Sequence, residues 1–308
     1  MPDSSGLPAS PDPTAALRGF SSPLLRPGAT CWRIDRASRL AFLVDGEEYF
    51  GAVRSAIAKA RVSFYILGWD IDSKMRLAPQ GASDGLPEAL GDFLNEVVSS
   101  SPDLHGYVLT WDYAMLYALE REWLPVYQLD FKTHKRLAFR LDDRHPVGAS
   151  HHQKVIVVDD SVAFVSGFDL ARSRWDTTRH APDDPLRVNN GGSAYGPFHD
   201  VGAVVSGATA RALGELCRDR WARATGGNGK RTGLDLLPDS TKHVLSNEAG
   251  EKEARLDPHR RGDRLDPSAA DPWPDGIEPV LTDVDVAISR TEPAFSQRLS
   301  QGYPLYCH

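Results

Sequence analysis

The segment Ala149-Ser150-His151-His152-Gln153-Lys154-Val155-Ile156-Val157-Val158-Asp159-Asp160 holds His152, Lys154 and Asp159 in the spacing H-x-K-x-x-x-x-D. The four residues between Lys154 and Asp159 are all apolar, the composition of a short buried strand. Alternate residues of a strand share a face, so His152 and Lys154 are expected to point the same way and meet one substrate group. An imidazole is a nucleophile or proton carrier near neutral pH. An ammonium beside it binds phosphate as a point charge. The pair therefore suits phosphoester chemistry without a metal. A Lys among the candidate ligands, with no Cys or Glu cluster nearby, predicts no metal site and no cofactor.

The elements that must position this pair read as an α/β protein. Leu40–Val44 is a buried strand stopped at Asp45-Gly46, a turn signal. A helix from Glu47 to about Lys59 follows, with Phe50, Val53 and Ile57 at helical spacing and two acidic residues at its positive end. Val62–Leu67 and Tyr107–Trp111 are further strands, separated by a helix that starts near Pro87 and carries Leu90, Phe93, Leu94, Val97 and Val98 on one stripe. Asp70 and Asp112 fall just past strand ends, where turn formation explains them. Residues 113–136 read as helical and then irregular, and Leu137–Leu141 as a strand. Lys154–Val158 pairs with Val162–Val165 as a hairpin across Asp159-Asp160-Ser161. Residues 171–198, polar and Gly-rich, form a long loop near the site mouth. Val201–Val205 is a strand and Ala208–Ala224 a helix. Residues 227–276 carry no periodicity and read as a low-order charged linker or insertion. Val284–Ile288 is a last strand.

The spacing resembles the HKD motif of the phospholipase D superfamily, and further matches follow in order. Phe164-Val165-Ser166-Gly167-Phe168-Asp169-Leu170 looks like the Gly-Gly-x-Asp-Leu segment of the phospholipase members. Pro197-Phe198-His199-Asp200-Val201 resembles their W-H-D segment, with Phe in place of Trp. Tyr65–Ile71 and Leu109–Tyr113 look like the family's strand ends. The resemblance implies an α-β-α sandwich with a mixed central sheet, one half of the usual two-domain enzyme. On this reading 1–28 is a leader, 29–226 the domain with the motif, and 277–308 the start of a truncated second half.

The resemblance also implies a reaction: hydrolysis or transfer at a phosphodiester through a phosphohistidine. His152 would attack phosphorus, Lys154 would hold a non-bridging oxygen, and Asp200 would accept the other imidazole N–H of His152 and set its tautomer. Asp159 completes the motif and is grouped with the catalytic residues, although its distance from Lys154 fits a brace for the turn. Ser166, Gly167 and Asp169 are expected at the substrate pocket, and His199 in a supporting role. No second H-x-K occurs in the sequence. The family's phospholipases use two, the second His protonating the leaving alcohol. Either this chain is the N-terminal half of a two-motif enzyme, or two copies pair and donate one motif each as a homodimeric phosphodiesterase or nuclease, or the protein is a non-catalytic lipid- or phosphate-binding fragment.

The bulk composition narrows the substrate. With 308 residues, 41% of them hydrophobic, the chain can bury a substantial core. A net charge of −7 argues against broad nucleic-acid affinity, and together with the Ser166–Leu170 segment, which resembles the phospholipase members, it favours a phospholipid over DNA. Cys31, Cys217 and Cys307 form neither a disulfide framework nor a zinc pattern. Without a signal-peptide pattern or a run of roughly 20 apolar residues, the expectation is a cytoplasmic protein with at most peripheral membrane contact.

Overall fold

The apolar runs read from the sequence become strands of one sheet. The computed structural model describes residues 24–111, 134–142, 145, 150–225 and 271–291. In chain order these give β1 (Arg33–Val44), α1 (Asp45–Ala58), β2 (Ser63–Gly68), α2 (Leu90–Ser100), β3 (His105–Trp111), β4 (Leu137–Asp142), β5 (Val155–Val158), β6 (Val162–Ser166), β7 (Val201–Gly207), α3 (Ala208–Thr225) and β8 (Leu281–Ile288). Most of the leader, Asp112, residues 113–133, most of the charged insertion and the C-terminal tail lie outside the described residues.

The sheet is mixed, in the order β4-β3-β2-β5-β6-β7-β1-β8. β2, β3 and β4 run parallel; every other neighbour is antiparallel. Strand alternation divides the apolar side chains between two faces. Ile66, Val108, Ile156, Val158 and Phe164 join Phe50, Val53, Ile57 and Phe93 of α1 and α2 in one core. Tyr65, Tyr107, Val155, Val157 and Val205 join Leu213, Leu216 and Trp221 of α3 in the other. The chain is thus an α-β-α sandwich with a mixed central sheet.

Helix α1 begins where the loops need it. Its first amides find partners outside the helix: Asp45 N donates to Asp200 O at 2.9 Å and Glu47 N to Asp176 O at 2.9 Å. Glu48 reaches back to accept the amide of Val44 at 2.7 Å, so several of the N-terminal donors that a helix leaves open find partners. Gly46 allows the 174–176 backbone to approach, since a Cβ there would stand 2.7 Å from Trp175 Cα.

Two boundaries differ from the sequence reading. β8 pairs antiparallel with β1 from Arg33↔Ile288 to Leu40↔Leu281, so the strand read as the opening of a second half here extends this sheet. Residues 271–276, assigned to the low-order insertion, include Trp273, which is buried against the core and receives the Arg39 guanidinium over its ring at 4.3 Å. A single indole in a charged stretch carries no periodicity, so only its packing exposes its role.

Candidate active site

The pairing registers bring one set of strand ends together. Leu67 of β2 opposes Val155 of β5, Val155 opposes Val165 of β6, Ser166 opposes Gly202 of β7, and Val201 opposes Val44 of β1. The residues just before β5 and just after β2 and β6 therefore share one edge of the sandwich. That edge carries His152, Lys154, Trp69, Ser166 and Gly167.

Strand β5 starts only at Val155, yet the alternation continues upstream of it. His151 and Gln153 turn toward α3: His151 Nε2 lies 3.4 Å from Asp142 Oδ2, and Gln153 Oε1 accepts Arg220 Nη1 at 3.1 Å. Arg220 also holds Asp142 at 2.6 Å, a pair buried on both sides. His152 and Lys154 turn the other way. The exposed ring of His152 stands edge-on to Trp69, with centroids 6.3 Å apart. Lys154, buried, places Nζ 3.2 Å from Asp169 Oδ2. Asp169 Oδ1 accepts the amides of Trp69 at 2.8 Å and Asp70 at 3.2 Å.

On the α3 side of the sheet lies a cleft of about 700 Å³, lined by Leu40 of β1, Val205 of β7, Leu213 and Leu216 of α3 and Ile288 of β8, with Gln153, Thr209 and Arg290 among its polar members. His152, Lys154 and Ser166 also border it. A largely apolar cleft bordered by an imidazole and an ammonium can hold an amphiphilic phosphodiester.

Several expected site residues stand elsewhere or are engaged otherwise. Asp159 lies at the far end of β5, about 16 Å along the strand from Lys154. Its carboxylate accepts three backbone amides, those of Arg61, Val62 and Ser63, each at 2.8 Å. Burial pushes its pKa up while those amides pull it down, with burial the larger. Both Asp159 and Asp160 have φ of +51°, as a primed hairpin turn requires. Asp159 is thus a brace between the β5–β6 turn and the start of β2, and its place in the motif reflects folding.

Asp200 does not meet His152. Its Oδ1 accepts the amide of Val201 at 2.8 Å, opening β7, and its carboxylate lies over Gly167, where a Cβ would collide with it. Asp169, expected to touch substrate, is buried and spends its carboxylate on two amides and Lys154. Ser166 Oγ accepts the amide of Phe168 at 3.2 Å and still lines the cleft. Trp69, Asp142 and Arg220 were missed as site residues. A Trp after a strand and an Arg inside a helix carry no signal until the sheet places them beside His152 and His151.

An α-β-α sandwich with a His-x-Lys pair beside a largely apolar cleft defines a class, and comparison with known proteins agrees. Phospholipase D C of Dictyostelium discoideum is 29% identical over 60% of this chain and 13% of that protein. Phospholipase D B of the same organism is 23% identical over 67% of this chain and 20% of that protein. Among solved structures, the phospholipase D family member Nuc from Salmonella typhimurium aligns over 65% of this chain and 98% of its own, with 13% identity and a TM-score of 0.41. No protein-family model matches. The chain is similar to members of the phospholipase D superfamily. It spans only a small part of the length of these curated relatives. Among the described residues no helix is long and apolar enough to cross a membrane.

Proposed function

We propose that the chain carries one catalytic half of a phosphodiesterase acting on a glycerophospholipid. An imidazole nitrogen of His152 bonds to phosphorus as the bond to the leaving alcohol breaks, and Lys154 draws off the developing charge on a non-bridging oxygen. The alcohol takes its proton from a second imidazole. Water then attacks the phosphohistidine, returning a proton to that second group and freeing His152. The observation that carries this reading is the His152–Lys154 pair on one side of the approach to β5, with Lys154 3.2 Å from Asp169, beside a cleft lined largely by aliphatic side chains.

The second imidazole belongs to a partner motif, in a second copy or in a companion domain. An exposed apolar strip supports such pairing. Phe42 and Val165 flank Ala203 on three adjacent strands, and Val44 lies across from Val201. These four side chains are 54%, 44%, 37% and 44% exposed for Phe42, Val165, Val44 and Val201 respectively. Scattered apolar residues are ordinary on a surface, but a contiguous strip points to a contact.

The test is choline release from phosphatidylcholine vesicles by wild type, His152→Ala and Lys154→Ala, with light scattering on the same samples. Loss of roughly 10⁴-fold or more in His152→Ala is expected. Equal rates would remove the nucleophile assignment. Cleavage of DNA, with phosphatidylcholine untouched, would move the substrate to nucleic acid.

A further inference from the structure

A second cluster of ionisable side chains occupies the β1–α1 corner, outside the cleft. It joins Asp45, the first residue of α1, to His180 and His199 from the segment between β6 and β7. Their nearest donor atoms all lie within 4.8 Å of one another. His199 Nδ1 is 2.6 Å from Asp45 Oδ1, and His180 Nε2 is 3.1 Å from Asp45 Oδ2. The two rings meet edge-on with centroids 5.3 Å apart.

The other nitrogen of His180 shows what the site wants. Nδ1 lies 3.0 Å from Asp176 Oδ2. Asp176 is fully buried and also accepts Arg187 Nη1 and the amides of Thr177 and Phe198. A carboxylate in that position accepts only, so Nδ1 carries a hydrogen and Nε2 is the nitrogen left to meet Asp45 Oδ2. Either a proton or a metal ion must stand between Nε2 and that carboxylate. A ligating imidazole whose remote N–H is held by a carboxylate is the arrangement that orients metal-bound histidines.

Asp45 adds an independent argument. It is 1% exposed, and among the described residues its charge partners are the two imidazoles, with no Lys or Arg. Buried charges are paired with opposite charge or coordinate a metal. The corner is also held in a demanding backbone: Asp45 has φ of +64° and His180 of +45°.

We propose that Asp45, His180 and His199 bind one divalent transition-metal ion of the zinc class, with a fourth position open to solvent. The donor set of two imidazoles and one carboxylate matches that class. Ligand atoms around a tetrahedral zinc stand roughly 3.3 Å apart for bonds of about 2.0–2.1 Å. The present 2.6 and 3.1 Å separations, to the two oxygens of Asp45, need a small widening, the donor atoms all lie within 4.8 Å of one another, and His199, 63% exposed in its side chain, is free to adjust. The ion would tie the long β6–β7 segment to the start of α1, where the amide of Asp200 already meets Asp45 Oδ1 at 3.3 Å.

The full chain, stripped with a chelator, is titrated with Zn²⁺ against a chromophoric competitor. Wild type is expected to bind one equivalent, and Co²⁺ in its place to give the visible absorption of a tetrahedral site. His199→Ala, at an exposed position that leaves the core intact, is expected to bind at least about 100-fold more weakly, and Asp176→Asn about 10- to 100-fold more weakly. His152→Ala is expected to bind like wild type, which separates this site from the catalytic reading. Absence of saturable Zn²⁺ binding, or equal affinity in wild type and His199→Ala, would overturn the proposal and leave a proton between His180 and Asp45.

Discussion

Lys154 Nζ lies 3.2 Å from Asp169 Oδ2, and both side chains are buried. The ammonium is thereby paired and held in place before any substrate arrives. Replacing one member of such a pair leaves the other buried without its counter-charge. Asp169→Asn is expected to lose about 3 kcal/mol of stability and to raise KM for a phosphodiester more than it lowers kcat. Urea denaturation and steady-state kinetics check both. An unchanged KM would mean that Asp169 does not position Lys154.

Asp159 stands at the other end of β5, and its variants should separate bracing from catalysis. Asp159→Ala orphans the amides of Arg61, Val62 and Ser63 and is expected to cost roughly 3 kcal/mol, since each unsatisfied buried donor costs about 1–3 kcal/mol. Turnover per folded molecule should stay close to wild type. A fall in kcat of a hundredfold at full folding would return Asp159 to the catalytic set.

Gly167 lies beneath the Asp200 carboxylate with no room for a Cβ. Gly167→Ala is expected to destabilise the chain by about 1–3 kcal/mol through overpacking. Gly167→Ala combined with Asp200→Ala should recover much of that loss. A strictly additive double-mutant cycle would show that the two residues do not meet.

Acid stability depends on a pair far from the cleft. Arg54, a buried residue of α1, donates from Nε and Nη2 to both carboxylate oxygens of Asp84 at 2.7 and 2.8 Å. These bonds hold the Asp84 pKa below its ordinary value. A depressed folded pKa contributes stability above the unfolded value, near pH 4, and that contribution disappears as pH falls through the folded value. Denaturation of wild type between pH 3 and 6 should therefore show an acid limb that Asp84→Asn flattens. Parallel curves for the two proteins would assign the limb to other carboxylates.

The apolar strip across β1, β7 and β6 should drive association. Phe42→Lys paired with Val165→Lys is expected to shift light-scattering mass toward the monomer and to leave the melting temperature nearly unchanged, since both side chains are about half exposed. A wild type that stays monomeric at high concentration would assign the strip to a different partner.

Sequence alone was enough to read most of the elements and to expect His152 and Lys154 on one face. Apolar runs and helical stripes are local properties, so α1, α2, α3 and most strands could be read within a few residues. The H-x-K spacing likewise implied a shared face, because alternation is a property of the strand itself. What tertiary structure decided was which carboxylate serves which partner. Asp159, Asp169 and Asp200 look equivalent along the chain, yet the pairing registers send the first to the far edge, the second to Lys154 and the third over Gly167. Likewise, Asp45 lies 135 and 154 positions from His180 and His199 in the chain, and only the antiparallel pairing of β7 with β1 brings them together. A contact between residues that distant depends on the path of the whole sheet, which no local pattern encodes.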